Sequence, residues 1–255
     1  MSPDAVKGAA SWALFLDFDG TLVDIALTPR AIVIPPNLPS LLHRLRDHLD
    51  GALAIVSGRP VMEIDRFLSP YEFTVAGLHG LDLRLDRHLP AGQTRDRTVA
   101  PPASSLADLR GPAKMLIAAL PGAVLEDKGA TLAFHYRAAP EQGPALLQGV
   151  SALIAQRPDL HMLPGKMVIE IKPRQANKGN AIRQLMQLAP FASRTPVFAG
   201  DDVTDQDGFV AVQALGGYPV VIGDGQLAPT AATLPDPNAM RAWLNSLVTQ
   251  LEATA

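Results

Sequence analysis

The tightest constraint on this chain is the stretch Ala13-Leu14-Phe15-Leu16-Asp17-Phe18-Asp19-Gly20-Thr21-Leu22, in which an apolar run stops at two carboxylates. The run is too short for a buried helix and is bounded by a glycine, so it reads as a buried strand. Strand side chains alternate faces, and Asp17 and Asp19 would point the same way if the strand continued. The break at Gly20 instead leaves both at the strand's carboxyl end, where open α/β sheets bind ligands. Two carboxylates this close repel, and the pair is stable only with a cation or a shared proton. A hard cation such as Mg²⁺ takes oxygen ligands, with substrate phosphate oxygens among them. That combination points to phosphoryl chemistry with one aspartate as nucleophile. The plainer alternative is a capped strand end with two solvated acids.

The rest of the chain alternates in the way such a strand requires. Leu38, Leu41, Leu42, Leu45 and Leu49 fall at helical spacing behind Asn37, a candidate cap, and Gly51 ends that helix. Ala52 to Val56 reads as a second buried strand running into Ser57-Gly58-Arg59. Pro60 suits the first turn of a helix through about Leu68, and Phe73 to Ala76 reads as a third strand. This order implies a parallel sheet with right-handed crossovers. Residues 89–103 are rich in Pro, Gly, Thr and Ala and read as a linker or exposed loop.

A helix around Leu106 to Leu120 follows. Strands near Ala123 to Glu126 and Ala130 to Tyr136 are joined by Asp127-Lys128-Gly129, and a helix over about Pro144 to Gln156 precedes the strand Met167 to Ile171. From Asn177 the alternation resumes, with strands at Pro196 to Ala199 and Tyr218 to Ile222 and a last helix over about Asn238 to Leu251. The expected fold is a Rossmann-like parallel-sheet α/β core with an inserted smaller α/β domain. The core occupies 1–99 and 172–255, and the insertion 100–171.

Bulk properties exclude several classes. With 255 residues, 47% hydrophobic, and a formal net charge of −3, the chain can bury a sizeable core and carries no electrostatic footprint for nucleic acid or an anionic membrane. There are no cysteines, so disulfides and thiolate metal sites are ruled out. No apolar run approaches the roughly 18 residues of a membrane helix. The first ten residues carry Asp4 and Lys7 and no apolar signal core. A cytoplasmic monomer acting on a small molecule, without nucleic-acid or membrane partners, is expected.

Three further segments fall at strand ends. Ser57-Gly58-Arg59 offers a hydroxyl and backbone N–H groups near a helix start, able to hold a phosphate or simply to make a turn. Lys178 lies at a helix start, where it opposes the helix dipole, which hints at an anionic partner or reflects an ordinary solvated lysine. Gly200-Asp201-Asp202-Val203-Thr204-Asp205 places three acids in five residues, of which helix capping needs only one.

The order DxDGT, Ser-Gly-Arg, Lys and GDDxxD resembles the haloacid-dehalogenase-like (HAD) phosphatase superfamily, with a cap of the second type inserted between the second and third motifs. The finer resemblance is to the trehalose-6-phosphate phosphatases. It is carried by the motifs above together with Gly77-Leu78-His79-Gly80, Glu126-Asp127-Lys128-Gly129, His135-Tyr136-Arg137 and Gly165-Lys166-Met167-Val168-Ile169-Glu170-Ile171-Lys172-Pro173. It runs from about residue 13 to 225. Gln206 departs from the acid that many members carry there.

The resemblance implies that Asp17 attacks phosphorus and forms an aspartyl-phosphate, with Asp19 as general acid and then base. It implies Mg²⁺ held by Asp17, the backbone carbonyl of Asp19 and Asp201, with Asp202 and Asp205 orienting the groups around it. Ser57, Gly58 and Lys178 would hold phosphate oxygens. Arg59, His79, Glu126, Lys128, Arg137, Lys166 and Glu170 would contact the substrate. The sugar hydroxyls would be read in the insertion, because a site that hydrogen-bonds hydroxyls rejects analogues lacking them. From spacing alone, Lys166 and Glu170 would share one strand face, which reads first as an exposed polar surface; the resemblance reverses that preference. His79 could equally make a structural hydrogen bond in its turn. Competing readings are a phosphatase of sucrose 6-phosphate or a hexose phosphate, and a phosphoacceptor signalling domain.

Overall fold

The computed structural model describes residues 8–26, 31–86, 106–165, 167–224, 228 and 231–254. The chain divides into two compact units, Met1–Val99 with Asn177–Ala255 and, inserted between them, Ala100–Ala176. The insertion extends beyond 171 because its last strand runs on to Pro173 and the Arg174 N–H then donates to Asp159 O at 2.8 Å.

The first unit is built on β1 (Trp12–Leu16), α1 (Leu38–His48), β2 (Leu53–Val56), α2 (Val61–Leu68), β3 (Thr74–Gly77) and β4 (Asp82–Arg84). In the inserted unit come β5 (Val124–Asp127), β6 (Leu132–His135), β7 (Leu160–Gly165) and β8 (Val168–Pro173), with helices α3 (Arg110–Ala118) and α4 (Gly143–Ile154). The first unit then resumes with α5 (Lys178–Leu185), β9 (Thr195–Gly200), α6 (Gln206–Ala214), β10 (Tyr218–Ile222), β11 (Ala232–Leu234) and α7 (Pro237–Thr254). Among the described residues no helix is long and apolar enough to cross a membrane.

The seven strands of the first unit are ordered β11-β10-β9-β1-β2-β3-β4, parallel except for β4. β1 sits inside this sheet and is buried at every position, which is why it reads as an unbroken apolar run. Its parity is still legible. Trp12 stacks on Trp243 of α7, with ring centroids 6.3 Å apart, while Phe15, of the opposite parity, stacks on Phe191 at 5.4 Å. Leu16 pairs with Ile55 on one side and Ala199 on the other, so β1, β2 and β9 deliver the residues that follow them to one end of the sheet. Between β1 and β9 the strand order reverses, the place where open α/β sheets bind ligands.

Several expectations are corrected. Asn37 does not cap α1 with its side chain. It is itself helical (φ −88°, ψ −10°), and its carbonyl accepts from Ser40 Oγ at 3.0 Å. The helix after β9 starts at Gln206, after a short 3-10 turn, Val203–Asp205. Strands β4, β7 and β11 were not expected. β4 and β11 have three residues each, and β7, an edge strand, contains Pro164.

The inserted unit is a four-stranded antiparallel sheet, β5-β6-β8-β7. Leu132, Phe134, Ile169 and Ile171 alternate onto one face and form a core with Leu146, Val150, Leu109 and Ala113 from the helical side. Ala133, Glu126 and Glu170, which pair across β5, β6 and β8, occupy the other face.

Candidate active site

Asp17 leaves β1 with its N–H still donating to Ala199 O at 2.9 Å, and only 4% of the residue is exposed. Its Oδ1 lies 2.6 Å from Lys178 Nζ. The same ammonium donates to Asp205 Oδ1 at 2.5 Å. Lys178 is thus buried at the first position of α5, and the misfit with the helix dipole is resolved by two carboxylates. Asp205 Oδ2 accepts the N–H groups of Asp201 and Asp202, both at 3.0 Å, and so folds the acidic loop back on itself. Asp202 is exposed and accepts from Val203 N–H at 2.6 Å, completing a capping box with Asp205. Thr21 Oγ1 donates to Asp201 Oδ1 at 3.1 Å across a sequence separation of 180 residues.

Gly20 makes this closure possible. It has φ +79°, and a Cβ there would lie 2.1 Å from Asp201 Oδ2. Any side chain would be strained in backbone and would collide with the carboxylate.

Carboxylate oxygens of Asp17, Asp201 and Asp205 lie within 4.8 Å of one another. Burial pushes the Asp17 carboxyl well above its ordinary range, against the pull of Lys178. Burial, followed by the charge of Asp205, pushes Asp201 up to about 6. Burial also works against the Lys178 ammonium, but Asp17 and Asp205 outweigh it and hold its pKa above the usual value. Three carboxylates thus face one ammonium, which leaves the cluster short of positive charge. An all-oxygen donor set in that state fits a hard divalent cation such as Mg²⁺. Asp205 is already bonded through both oxygens, so Asp17 and Asp201 are the carboxylates able to hold it. A cleft of about 560 Å³ opens beside Gly20 and Asp201, with Asp24, Asp224 and Asp236 also in its lining.

Asp19 sits apart from this cluster in its bonding. Arg59 Nε donates to its Oδ2 at 2.6 Å and Nη2 to its Oδ1 at 2.7 Å, a fork that fixes the carboxylate plane. Arg59 Nη1 donates to Glu63 Oε2 at 2.8 Å, and the guanidinium lies over the Phe67 ring at 5.3 Å. Arg59 is thus tied to both Asp19 and Glu63. Glu63 was not singled out from the sequence; it lies in the first turn of α2 while Arg59 precedes that helix, so their pairing carries no helical spacing signal.

Ser57 is buried, and its Oγ accepts the Arg59 N–H at 3.1 Å, leaving its own proton to donate. The N-terminus of α2 is already engaged, because Val61 N–H donates to Asp82 Oδ2 at 2.9 Å. A phosphate here would have to meet the Ser57-Gly58 loop itself. His79 lies in the turn after β3 with φ 57° and ψ 34°, and its N–H donates to Ser57 O at 2.9 Å. Non-glycine residues in this region carry strain of order 1–3 kcal/mol and cluster at functional sites.

In the inserted unit, Glu170 Oε1 accepts from Thr131 Oγ1 at 2.7 Å and lies 3.6 Å from Lys128 Nζ. Glu126 Oε2 lies 2.9 Å from His135 Nε2 and 4.0 Å from Lys128. Glu126, Lys128 and Glu170 are thus one polar cluster on the sheet face opposite the core, joined by Thr131 and His135. Those two had no assigned role in the sequence, though strand periodicity beside Ala133 carries the signal. Arg137 is exposed just beyond β6. Lys166 lies outside the described residues, and β8 begins only at Val168, so the pairing of Lys166 with Glu170 on one strand face lies outside them too.

Comparison with known proteins agrees with this geometry. The family model described as trehalose-phosphatase matches residues 15–236. A trehalose-6-phosphate phosphatase of Escherichia coli K12 is 42% identical over 252 residues, covering 96% of this chain and 89% of that protein. A crystal structure of a trehalose-6-phosphate phosphatase related protein superposes with a TM-score of 0.72 at 25% identity, covering 96% of this chain and all of that one. A phosphatase of the haloalkanoate (HAD) superfamily from Bacteroides thetaiotaomicron superposes with a TM-score of 0.63 at 14% identity over 96% of this chain and 97% of its own, which supports the fold alone.

Proposed function

The chain belongs to the trehalose-phosphatase family, phosphoric monoester hydrolases on a HAD-type fold, and from that premise we propose that it hydrolyses trehalose 6-phosphate to trehalose and phosphate through an aspartyl-phosphate. The observation that carries this reading is buried Asp17, held between Lys178 and Asp201 at the switch point of the parallel sheet. An Asp17 oxygen attacks phosphorus and the bond to the sugar oxygen breaks. Asp19, having taken up a proton as substrate binds on an oxygen released from one arm of the Arg59 fork, gives that proton to the sugar oxygen and later takes one from the water that cleaves the acyl phosphate. The other arm of Arg59 keeps Asp19 in place. Lys178, Ser57 and the Gly58 N–H hold the phosphate oxygens, and Asp205 fixes both Lys178 and the loop carrying Asp201.

Asp17, the Asp19 carbonyl and Asp201 would hold Mg²⁺, which when bound offsets the negative charge of the transferring group. In the inserted unit, the cap, Glu126, Lys128, Arg137, Lys166 and Glu170 would pair with sugar hydroxyls. Charged groups that already bond one another can exchange those partners for hydroxyls without being left bare.

The test is phosphate release from trehalose 6-phosphate, sucrose 6-phosphate and glucose 6-phosphate, with Mg²⁺ or EDTA. A Mg²⁺-dependent preference for the trehalose ester is expected. Asp17→Asn should lower turnover by about 10⁴-fold or more while the protein stays folded. Even activity across the panel would overturn the trehalose assignment and keep the phosphatase. Absence of turnover from folded protein would favour a phosphoacceptor role.

A further inference from the structure

Leu78, His79 and Gly80 have φ of 47°, 57° and 95°, three consecutive residues in the left-handed region. Only the last is glycine. A position that needed this backbone alone would be served with less strain by glycine or asparagine, so what the imidazole at 79 touches becomes the question. The turn grips the Ser57–Arg59 loop from one side. Leu78 N–H donates to Arg59 O at 3.0 Å, His79 N–H to Ser57 O at 2.9 Å, and Ser57 N–H to Ala76 O at 2.9 Å.

On its other side the turn lies on α5, the helix that begins with Lys178, so closely that a Cβ on Gly80 would come 2.8 Å from the Ala181 Cβ. The His79 ring itself faces Gly58, with Nε2 3.0 Å from the point a Gly58 Cβ would occupy. Backbone and ring together span the two elements that would share one phosphate.

We propose that His79 is a positioning residue, its ring wedged against Gly58 so that the Ser57-Gly58 loop stands at a fixed distance from Lys178. The inference rests on the reading of Ser57, Gly58 and Lys178 as the phosphate-holding groups. Removing the ring frees the Gly58 backbone, and the loop no longer presents its donors to the anion that Lys178 binds. The left-handed strain at 79 is then a cost carried by the fold for the alignment of the site.

The experiment uses His79→Gly, which relaxes the backbone while deleting the wedge. With p-nitrophenyl phosphate as substrate and inorganic phosphate as competitive inhibitor, the inhibition constant should rise about tenfold, the size of one misaligned hydrogen bond to a charged group. KM should rise by the same factor while kcat falls by less than that, and the thermal midpoint should stay level or increase. His79→Asn, which tolerates the left-handed backbone, should fall between the two.

Phosphate inhibition within twofold of the parent in a folded His79→Gly protein would overturn the proposal. A loss of thermal stability would overturn it equally, because it would assign the ring to packing. Should the parent protein ignore trehalose 6-phosphate yet show these effects on p-nitrophenyl phosphate, the substrate reading fails and the positioning role stands.

Discussion

In the core unit, burial pushes the carboxyls of Asp17 and Asp201 upward, and a single ammonium serves the cluster. In the cap, Asp127 and Asp159 are exposed, and hydrogen bonds from Arg110 and Arg157 hold both below the usual carboxylate range. The Arg110 and Asp127 side chains meet at 2.7 Å, and Arg157 reaches Asp159 at 2.9 and 3.0 Å. Asp127 and Asp159 each have an arginine of their own. Asp17, Asp201 and Asp205 share one ammonium between them, and such an excess of like charge at a sheet end is the mark of a site that binds a cation. On the proposed function, the contrast would separate the unit that performs chemistry from the unit that selects, since generic phosphoryl transfer needs the first arrangement and hydroxyl recognition needs neutralised, exchangeable pairs.

The contrast breaks most severely at Gly20. Gly20→Ala sets a methyl group against Asp201 and should lower kcat about 100-fold on every phosphate ester, the cost of a displacement near 1 Å at a reacting centre. Equal loss on p-nitrophenyl phosphate and on trehalose 6-phosphate is the expected signature, and survival of activity would mean that Asp201 is not held where the metal-binding reading needs it. Smaller and one-sided is Glu170→Gln in the cap. It should lower kcat/KM for trehalose 6-phosphate about tenfold while p-nitrophenyl phosphate turnover stays level, as expected for one charge-assisted hydrogen bond to substrate. A parallel loss on both substrates would dissolve the division of labour.

The smallest effect is a sign rather than a rate. Native, metal-free Asp201 takes its proton near 6, whereas an aspartate in the unfolded chain does so near about 3.9. Between those values the native state holds the extra proton, so stability falls as pH rises, and the full penalty is in place above about 6. For Asp127 the sign is opposite, because its depressed pKa favours the native state at neutral pH and the benefit is lost on acidification. EDTA-treated protein should therefore melt a few degrees higher at pH 5.5 than at 7 (about 1 kcal/mol is worth 2–4 °C at this size), and Mg²⁺ should narrow the gap. A steady loss of stability on acidification would show that the cap-type pairs dominate.

What could be seen in the sequence follows from how local each feature is. Asp17, Asp19, Ser57 and Asp201 stand next to strands whose apolar runs mark them, so their common end of the sheet follows from parallel pairing alone. Lys178 was flagged by a conflict between its charge and its helix position, a local signal whose resolution by Asp17 and Asp205 is a tertiary fact. The grip of Arg59 on Asp19 joins two loops 40 residues apart and has no local mark in the sequence. Asn37 failed as a cap because its backbone joined the helical turn. Strands β4 and β11, with three residues each, owe their form to neighbouring strands rather than to any propensity of their own.

The interleaving of the two units also sets an order of assembly. All strands of the cap come from one continuous stretch of chain, so its contacts are near in sequence. The core sheet instead needs β1 to find β9, which lies beyond the entire insertion. During synthesis, at about 5–20 residues per second, the cap can close while β1 still presents an open edge. Late pairing of distant segments is slow and leaves strand edges exposed to other chains. The same β1 that leads into Asp17 thus stays incomplete until β9 is made, and the site comes into being only with the last third of the molecule.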